Sequence, residues 1–230
     1  LLSKRDRLLY LDCQNGRSTL HRSGSDRPIW IAVLHSGLQQ QLSDTDYNRR
    51  VSECQQAAQM LLKKAGAPPP KSPRLREVKR GVYETYRPQL PEKLRRRADH
   101  FFSEQRRVRE GVTLWERGDL EGMGHVITES GESSVNNYEC GNDYLRSAFH
   151  VLVNTPSVLG ARFSGAGFRG CSIGLMASPP PEGLADDILT RYLRQHPDMD
   201  GEAEVCFCRS ADGAGFVDAS ARTSEMSEPC

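Results

Sequence analysis

The residues best suited to chemistry in this 230-residue chain lie between Gly160 and Cys171, in the run Gly-Ala-Arg-Phe-Ser-Gly-Ala-Gly-Phe-Arg-Gly-Cys. Glycines at 165, 167 and 170 permit positive φ and let the backbone approach a ligand closely. Successive N–H groups in such a loop can form a concavity that binds anions. Arg169 adds a guanidinium suited to phosphate. The same spacing also fits a tight glycine hairpin that carries an exposed arginine. It approaches G-x-G-x-x-G, but the apolar run after it, Cys171–Met176, reads as a strand. A dinucleotide loop opens a helix instead, which argues against that fold.

Other candidates are weaker. His35 and Ser36 end a strand, where neighbouring side chains point to opposite faces, so they do not pair as base and nucleophile. Asp44 and Asp46 read as helix caps rather than paired carboxylates. Arg95, Arg96, Arg97, Arg106, Arg107 and Arg109 are interleaved with Glu92, Asp99, Glu104 and Glu110, the pattern of a solvated helix face. Glu129 and Glu132 read as a solvated helix end. His100 beside Phe101 and Phe102 reads as structural, and Cys206 and Cys208 as two thiols on one buried strand face.

The elements that must position these residues follow from periodicity. Leu8–Cys13 and Ile29–His35 are short apolar runs that predict strands, separated by a turn-rich stretch over Gln14–Arg27. Val51, Cys54, Ala57, Ala58, Leu61 and Leu62 fall at helical spacing and predict a helix over 47–65, stopped by Gly66 and the prolines at 68–70. A short helix is expected over 75–86. A long one starts after Pro91 and runs to Glu116. Further helices are expected over 120–138, with an interruption near Gly131, and over 144–154. Strands over 158–163 and 171–176, a helix over 184–195 and a last strand over 204–208 complete the order. Residues 212–230 are small, polar and glycine-rich, the composition of a disordered tail. The reading is α+β, with helices packed on one face of an antiparallel sheet.

Composition excludes several classes. The net charge is +1, from 31 basic and 30 acidic residues, without the basic excess of a nucleic-acid binder. The seven cysteines include no C-x-x-C pair, so no zinc site is expected, and reduced thiols in a cytoplasmic protein are the simplest reading. No apolar run reaches the roughly 18–20 residues of a membrane span. The chain opens without methionine and almost directly on a strand, which suggests a piece of a longer protein.

The segment from Val158 to Cys171 resembles the third motif of the GHMP kinases, which in galactokinases runs roughly G-S-R-M-T-G-G-G-F-G-G-C. Its form here, R-F-S-G-A-G-F-R-G-C, is closer to galacturonokinases. Leu42–Cys54 resembles the galactokinase stretch S-x-Y-x-x-R-x-x-x-C, and residues 128–140 resemble N-E-S-H-x-S-L-x-x-x-Y-x-V-S, a stretch that faces the family's active site. Three such segments occur in the family's order. The resemblance implies a GHMP-kinase C-terminal domain over 28–211, with a proline linker at 66–73. It is preceded over 1–27 by the last strands of the N-terminal domain. It implies ATP and Mg2+ as cofactors and a small sugar as substrate, most closely D-galacturonate, with galactose and N-acetylgalactosamine as alternatives and a non-catalytic sugar sensor as another. Tyr47 would bind the sugar, and Gly165, Ala166, Gly167, Arg169 and Gly170 would support the nucleotide phosphates. A uronic acid needs a cation near its carboxylate, for which Arg49 and Arg162 are candidates by position.

The family's phosphate loop, P-x-x-x-G-L-x-S-S-A, has no counterpart in this sequence. Its catalytic aspartate would fall a handful of residues before Leu1. The resemblance therefore assigns no catalytic residue to this chain and implies a missing N-terminal half of the same kinase.

Overall fold

The computed structural model describes residues 2–38, 46–168 and 170–215. Asp44, Arg169 and the tail from 216 onward lie outside the described residues.

β1 (Arg7–Asp12) and β2 (Arg17–Arg22) form an antiparallel hairpin with Leu9 opposite Leu20. Asp12 closes the turn by accepting hydrogen bonds from Gln14 N and Asn15 Nδ2, both at 2.8 Å. The sequence reading had only a turn-rich stretch here. β2, Arg-Ser-Thr-Leu-His-Arg, is mostly polar and exposed, so it lacks the apolar alternation that marks a half-buried strand.

The larger sheet has the order β4-β5-β3-β6, antiparallel throughout, from β3 (Trp30–His35), β4 (Gly160–Phe163), β5 (Cys171–Met176) and β6 (Glu204–Arg209). α5 (Asp143–Val153) and α6 (Leu184–Leu193) cover one face. There Leu145, Phe149, Leu152, Ile188 and Tyr192 pack on Ala32, Leu34, Phe163 and Met176. Phe207, opposite Ala32, joins that core. Cys206 and Cys208 are opposite Val33 and Ile31, on the other face, and both are exposed. They are therefore not the buried pair that their apolar strand suggested.

A second core joins α1 (Tyr47–Lys64) to α3 (Glu92–Arg117) through Ala57, Ala58 and Leu61 against Leu94, Ala98 and Phe102. The short helix expected over 75–86 is a 3-10 turn, Leu75–Glu77, followed by α2 (Arg80–Tyr86). α4 (Leu120–Asn136) runs unbroken through Gly131, contrary to the expected interruption. That glycine makes room for a neighbour: a Cβ there would lie 2.4 Å from the Phe149 ring. Gly124 of α4 meets Gly160 of β4 so closely that a Cβ on Gly160 would lie 1.8 Å from the Gly124 oxygen. The helix thus packs backbone to backbone on the strand, a contact only glycine allows. A third cluster, Ile29, Trp115, Leu120, Leu175 and Ala177, receives Leu8 of the hairpin. No helix among the described residues is long and apolar enough to cross a membrane.

Candidate functional site

The glycine loop is the turn between β4 and β5. Ser164 N donates to Cys171 O at 2.9 Å, and Ser36 N, just past β3, donates to Gly170 O at 3.0 Å. Gly165, Gly167 and Gly170 have φ of 69°, 73° and 91°. Their surroundings differ. A Cβ on Gly167 would strike Phe163 and the Cys140 thiol, whereas among the described residues nothing lies within 4 Å of one on Gly165 or Gly170. The loop therefore rests on Gly167 and presents open backbone at its other two glycines, room that a phosphoryl group could use. Beneath it the buried Cys140 thiol donates to Ser134 O, and burial pushes it up to about 11, so it stays protonated and unreactive.

Tyr47 opens α1 and is 45% exposed. Its ring meets Phe168 of the loop edge to face, with centroids 6.1 Å apart. The fold thus brings together two features that lie 118 or more residues apart in the chain, Tyr47 and Gly165–Gly170. Asn142, the cap of α5, holds the loop from the other side: Nδ2 donates to Phe168 O at 3.3 Å while Oδ1 accepts from Leu145 N. Asp46 occupies the cap position of α1 but makes no capping bond. Its carboxylate pairs instead with Arg49 at 3.6 Å and Arg50 at 3.4 Å.

A buried charge network fixes the α1 end that carries Tyr47. Glu53, one turn beyond Arg50, accepts from Arg97 Nε at 2.7 Å, Lys93 Nζ at 2.9 Å, Arg49 Nε at 3.2 Å and Arg50 Nη1 at 3.3 Å. Arg97 is fully buried. It also donates to Asn137 O at 2.6 Å and to the Glu139 carboxylate, which Arg96 shares. Arg50 Nη2 reaches Glu139 O at 2.9 Å. Burial opposes ionisation of Glu53, yet the hydrogen bonds from Lys93 and Arg97 outweigh it and hold the carboxyl at about 2. Hydrogen bonding from Arg97 likewise lowers Glu139. Glu139 sits at φ 55°, a conformation costly for a side-chain-bearing residue, and these partners hold it there. Five cations here share three carboxylates, Asp46, Glu53 and Glu139, so the Tyr47 end of α1 is electropositive.

The solvated face expected for the α3 arginines holds only in part. Arg106 is half exposed, but Arg97 and Arg107 are buried. Position 97 lies on the stripe of Leu94 and Ala98, and 53 on that of Arg50 and Ala57, so helical spacing alone puts these opposite charges inside. Glu129 pairs with Arg106 at 3.4 Å rather than standing free in solvent, and Glu132 is exposed. His100 is structural, as its neighbours suggested: Nδ1 meets Ser133 Oγ at 3.0 Å, and burial lowers it to about 4. Glu104 bonds Ser130 and Arg107 and faces two clefts. One, of about 220 Å³, lies against Leu8–Tyr10. The other, of about 490 Å³, lies between α1 and α3, beside Cys54 and Tyr138. Neither of these two clefts is lined by Tyr47 or the described part of the glycine loop.

No family model matches the chain. A galacturonokinase of Arabidopsis thaliana is 39% identical over 220 residues, which is 93% of this chain and 52% of that protein. Over nearly its whole length the chain is similar to about half of a galactokinase-type sugar kinase. A galactokinase of Roseiflexus sp. is 29% identical over 98% of this chain, and that of Homo sapiens 27% identical over 93%. The fold matches the crystal structure of Lactococcus lactis galactokinase complexed with galactose, with a TM-score of 0.75 over 92% of this chain at 22% identity. The chain spans about half the length of the curated relatives it matches.

Proposed function

We propose that this chain forms one wall of a sugar-kinase cleft, in which MgATP phosphorylates the anomeric hydroxyl of D-galacturonate to give galacturonate 1-phosphate. The observation that carries the reading is the contact of Tyr47 with Phe168, which sets a polar ring beside an open glycine loop in a chain 39% identical to a galacturonokinase. In this reading the Tyr47 hydroxyl binds the sugar. The backbone at Gly165, Ala166, Gly167 and Gly170 lies against the nucleotide phosphates, with Arg169 as a further phosphate partner.

Phosphoryl transfer to a hydroxyl requires in-line positioning, charge neutralisation on the transferred group and a residue that orients or deprotonates the acceptor. The residues described here serve the first need and part of the second. The phosphate loop and the aspartate base would come from sequence outside this chain. In this reading Mg2+ would enter with the nucleotide's phosphates. We assign residues 1–27 to the end of an N-terminal domain and 28–211 to the C-terminal domain. The separate hairpin sheet favours that division, as does its outer face, where Leu11 and Leu20 are each 44% exposed. The six described cysteines are free thiols, which favours the cytoplasm. The higher identity to the galacturonokinase than to the galactokinases favours the uronic acid over galactose.

The test is turnover of the natural full-length protein with MgATP and D-galacturonate, D-galactose or N-acetylgalactosamine. We expect kcat/KM for galacturonate to exceed that for galactose about tenfold or more. A full-length protein that binds sugar but releases no ADP with any of the three would be a regulatory relative instead.

A further inference from the structure

Three arginines act on the Cys140 thiol beneath Gly167: Arg162, Arg50 and Arg146. Two are committed elsewhere. Arg50 lies in the Glu53 and Glu139 network. Arg162 donates to Phe163 O at 3.2 Å and faces Glu104 at 3.9 Å. Arg49, the other cation suggested by sequence position, pairs with Glu53 and Asp46. Arg146 differs in that it enters no ion pair among the described residues; its Nε, like that of Arg50, is buried without a hydrogen-bond partner. A guanidinium partly removed from water with no counter-charge is costly, and an incoming anion would relieve that cost.

Its placement says where that anion would sit. Arg146 lies one turn after Asn142 on the same face of α5, and helical side chains lean toward the N-terminus of their helix. The side chain therefore leans toward Asn142, which holds Phe168 O of the glycine loop. A Cβ on Gly141 would lie 3.3 Å from Arg146 Cγ and 2.6 Å from Phe163 Cζ, so the stem of the arginine and the last residue of the strand that enters the loop both lie beside Gly141. Phe168 is also the residue that touches Tyr47.

We infer that Arg146 is the cation of an oxyanion site at the base of the glycine loop, for a carboxylate or phosphoryl oxygen. The identity of that oxyanion rests on the sugar-kinase reading: it is either the C6 carboxylate of a uronic acid or a phosphoryl group of the nucleotide. A planar guanidinium binds either by paired, charge-assisted hydrogen bonds.

Calorimetric titration of the natural full-length protein with D-galacturonate, D-galactose and inorganic phosphate separates the possibilities, using Arg146→Gln and Arg146→Lys beside the unaltered protein and admitting only variants with its melting temperature. Arg146→Gln is expected to weaken an oxyanion about tenfold or more, and Arg146→Lys by less, because it keeps the charge and loses the fork. Loss confined to galacturonate, with galactose unchanged, identifies the sugar carboxylate. Loss of phosphate identifies the nucleotide. Unchanged binding of both anions by either variant overturns the site, as does failure of the unaltered protein to bind either anion. The two readings fail separately. Anion binding through Arg146 without sugar turnover removes the kinase and keeps the site, whereas turnover with anion binding indifferent to Arg146 does the reverse.

Discussion

Tyr47 and Arg97 show how differently single residues are specified. Tyr47 is half exposed, so Tyr47→Phe is expected to move the melting temperature little while raising KM for galacturonate about five- to tenfold, the worth of one hydrogen bond. Steady-state kinetics beside a thermal melt checks both halves. Arg97 is the opposite case. Arg97→Met would leave the buried Glu53 and the partly buried Glu139 each short of a partner, and it is expected to cost about 3 kcal/mol or more in denaturant unfolding. The place of Tyr47 at the start of a helix was legible in the sequence from the helical spacing that follows it. The interior role of Arg97 was masked by its neighbours Arg95 and Arg96 and by interleaved acids, although its position on the stripe of Leu94 and Ala98 gave the signal. Cys206 and Cys208 misled in the converse way: an apolar strand has two faces, and only the pairing with β3 decides which one is covered.

At the scale of elements, glycine decides the packing. Gly160→Ala would drive a methyl into the Gly124 carbonyl and separate α4 from β4, and a loss of roughly 2 kcal/mol or more in a chemical melt is expected. Gly165→Ala meets open space, so its cost is conformational, about 1–2 kcal/mol at φ 69°. His100 couples α3 to α4 through Ser133. Its folded pKa of about 4 lies below the ordinary 6.5, so the unfolded chain takes up a proton first as pH falls. Stability should therefore decline from about pH 6.5 toward 4, by on the order of 2 kcal/mol. Glu53, held at about 2 against an ordinary 4.5, adds its own loss only below about pH 4.5. Melting temperatures across this range should fall less between pH 6.5 and 4.5 in His100→Gln than in the unaltered protein; parallel curves would exclude His100 as the source. The long helices, the strand pair around the glycine loop and the stop after α1 were all legible from spacing, because an apolar stripe or a proline run sets them locally. β2 and the continuity of α4 were not. A polar hairpin strand has no stripe, and a packing glycine looks like a helix breaker until its neighbour, Phe149, is known.

For the whole molecule, the sequence reading and the fold agree on an α+β unit, and in the fold two distant segments meet. That meeting was legible only through the resemblance, since nothing in the spacing of residues 47 and 165–170 says that they touch. The hairpin turns Leu11 and Leu20 outward, and the chain spans about half of its curated relatives. Both features fit a wall that works against a second domain. The central claim is that Tyr47 and the glycine loop face the bound sugar and nucleotide, and amide hydrogen exchange reads it directly. On addition of D-galacturonate and a non-hydrolysable ATP analogue to the natural full-length protein, the amides of 164–170 and the first turn of α1 should slow together, with the outer face of β6 unchanged. Exchange that is unaltered in both segments, while the ligands bind and protect other surfaces, would contradict the assignment of this wall to the kinase cleft.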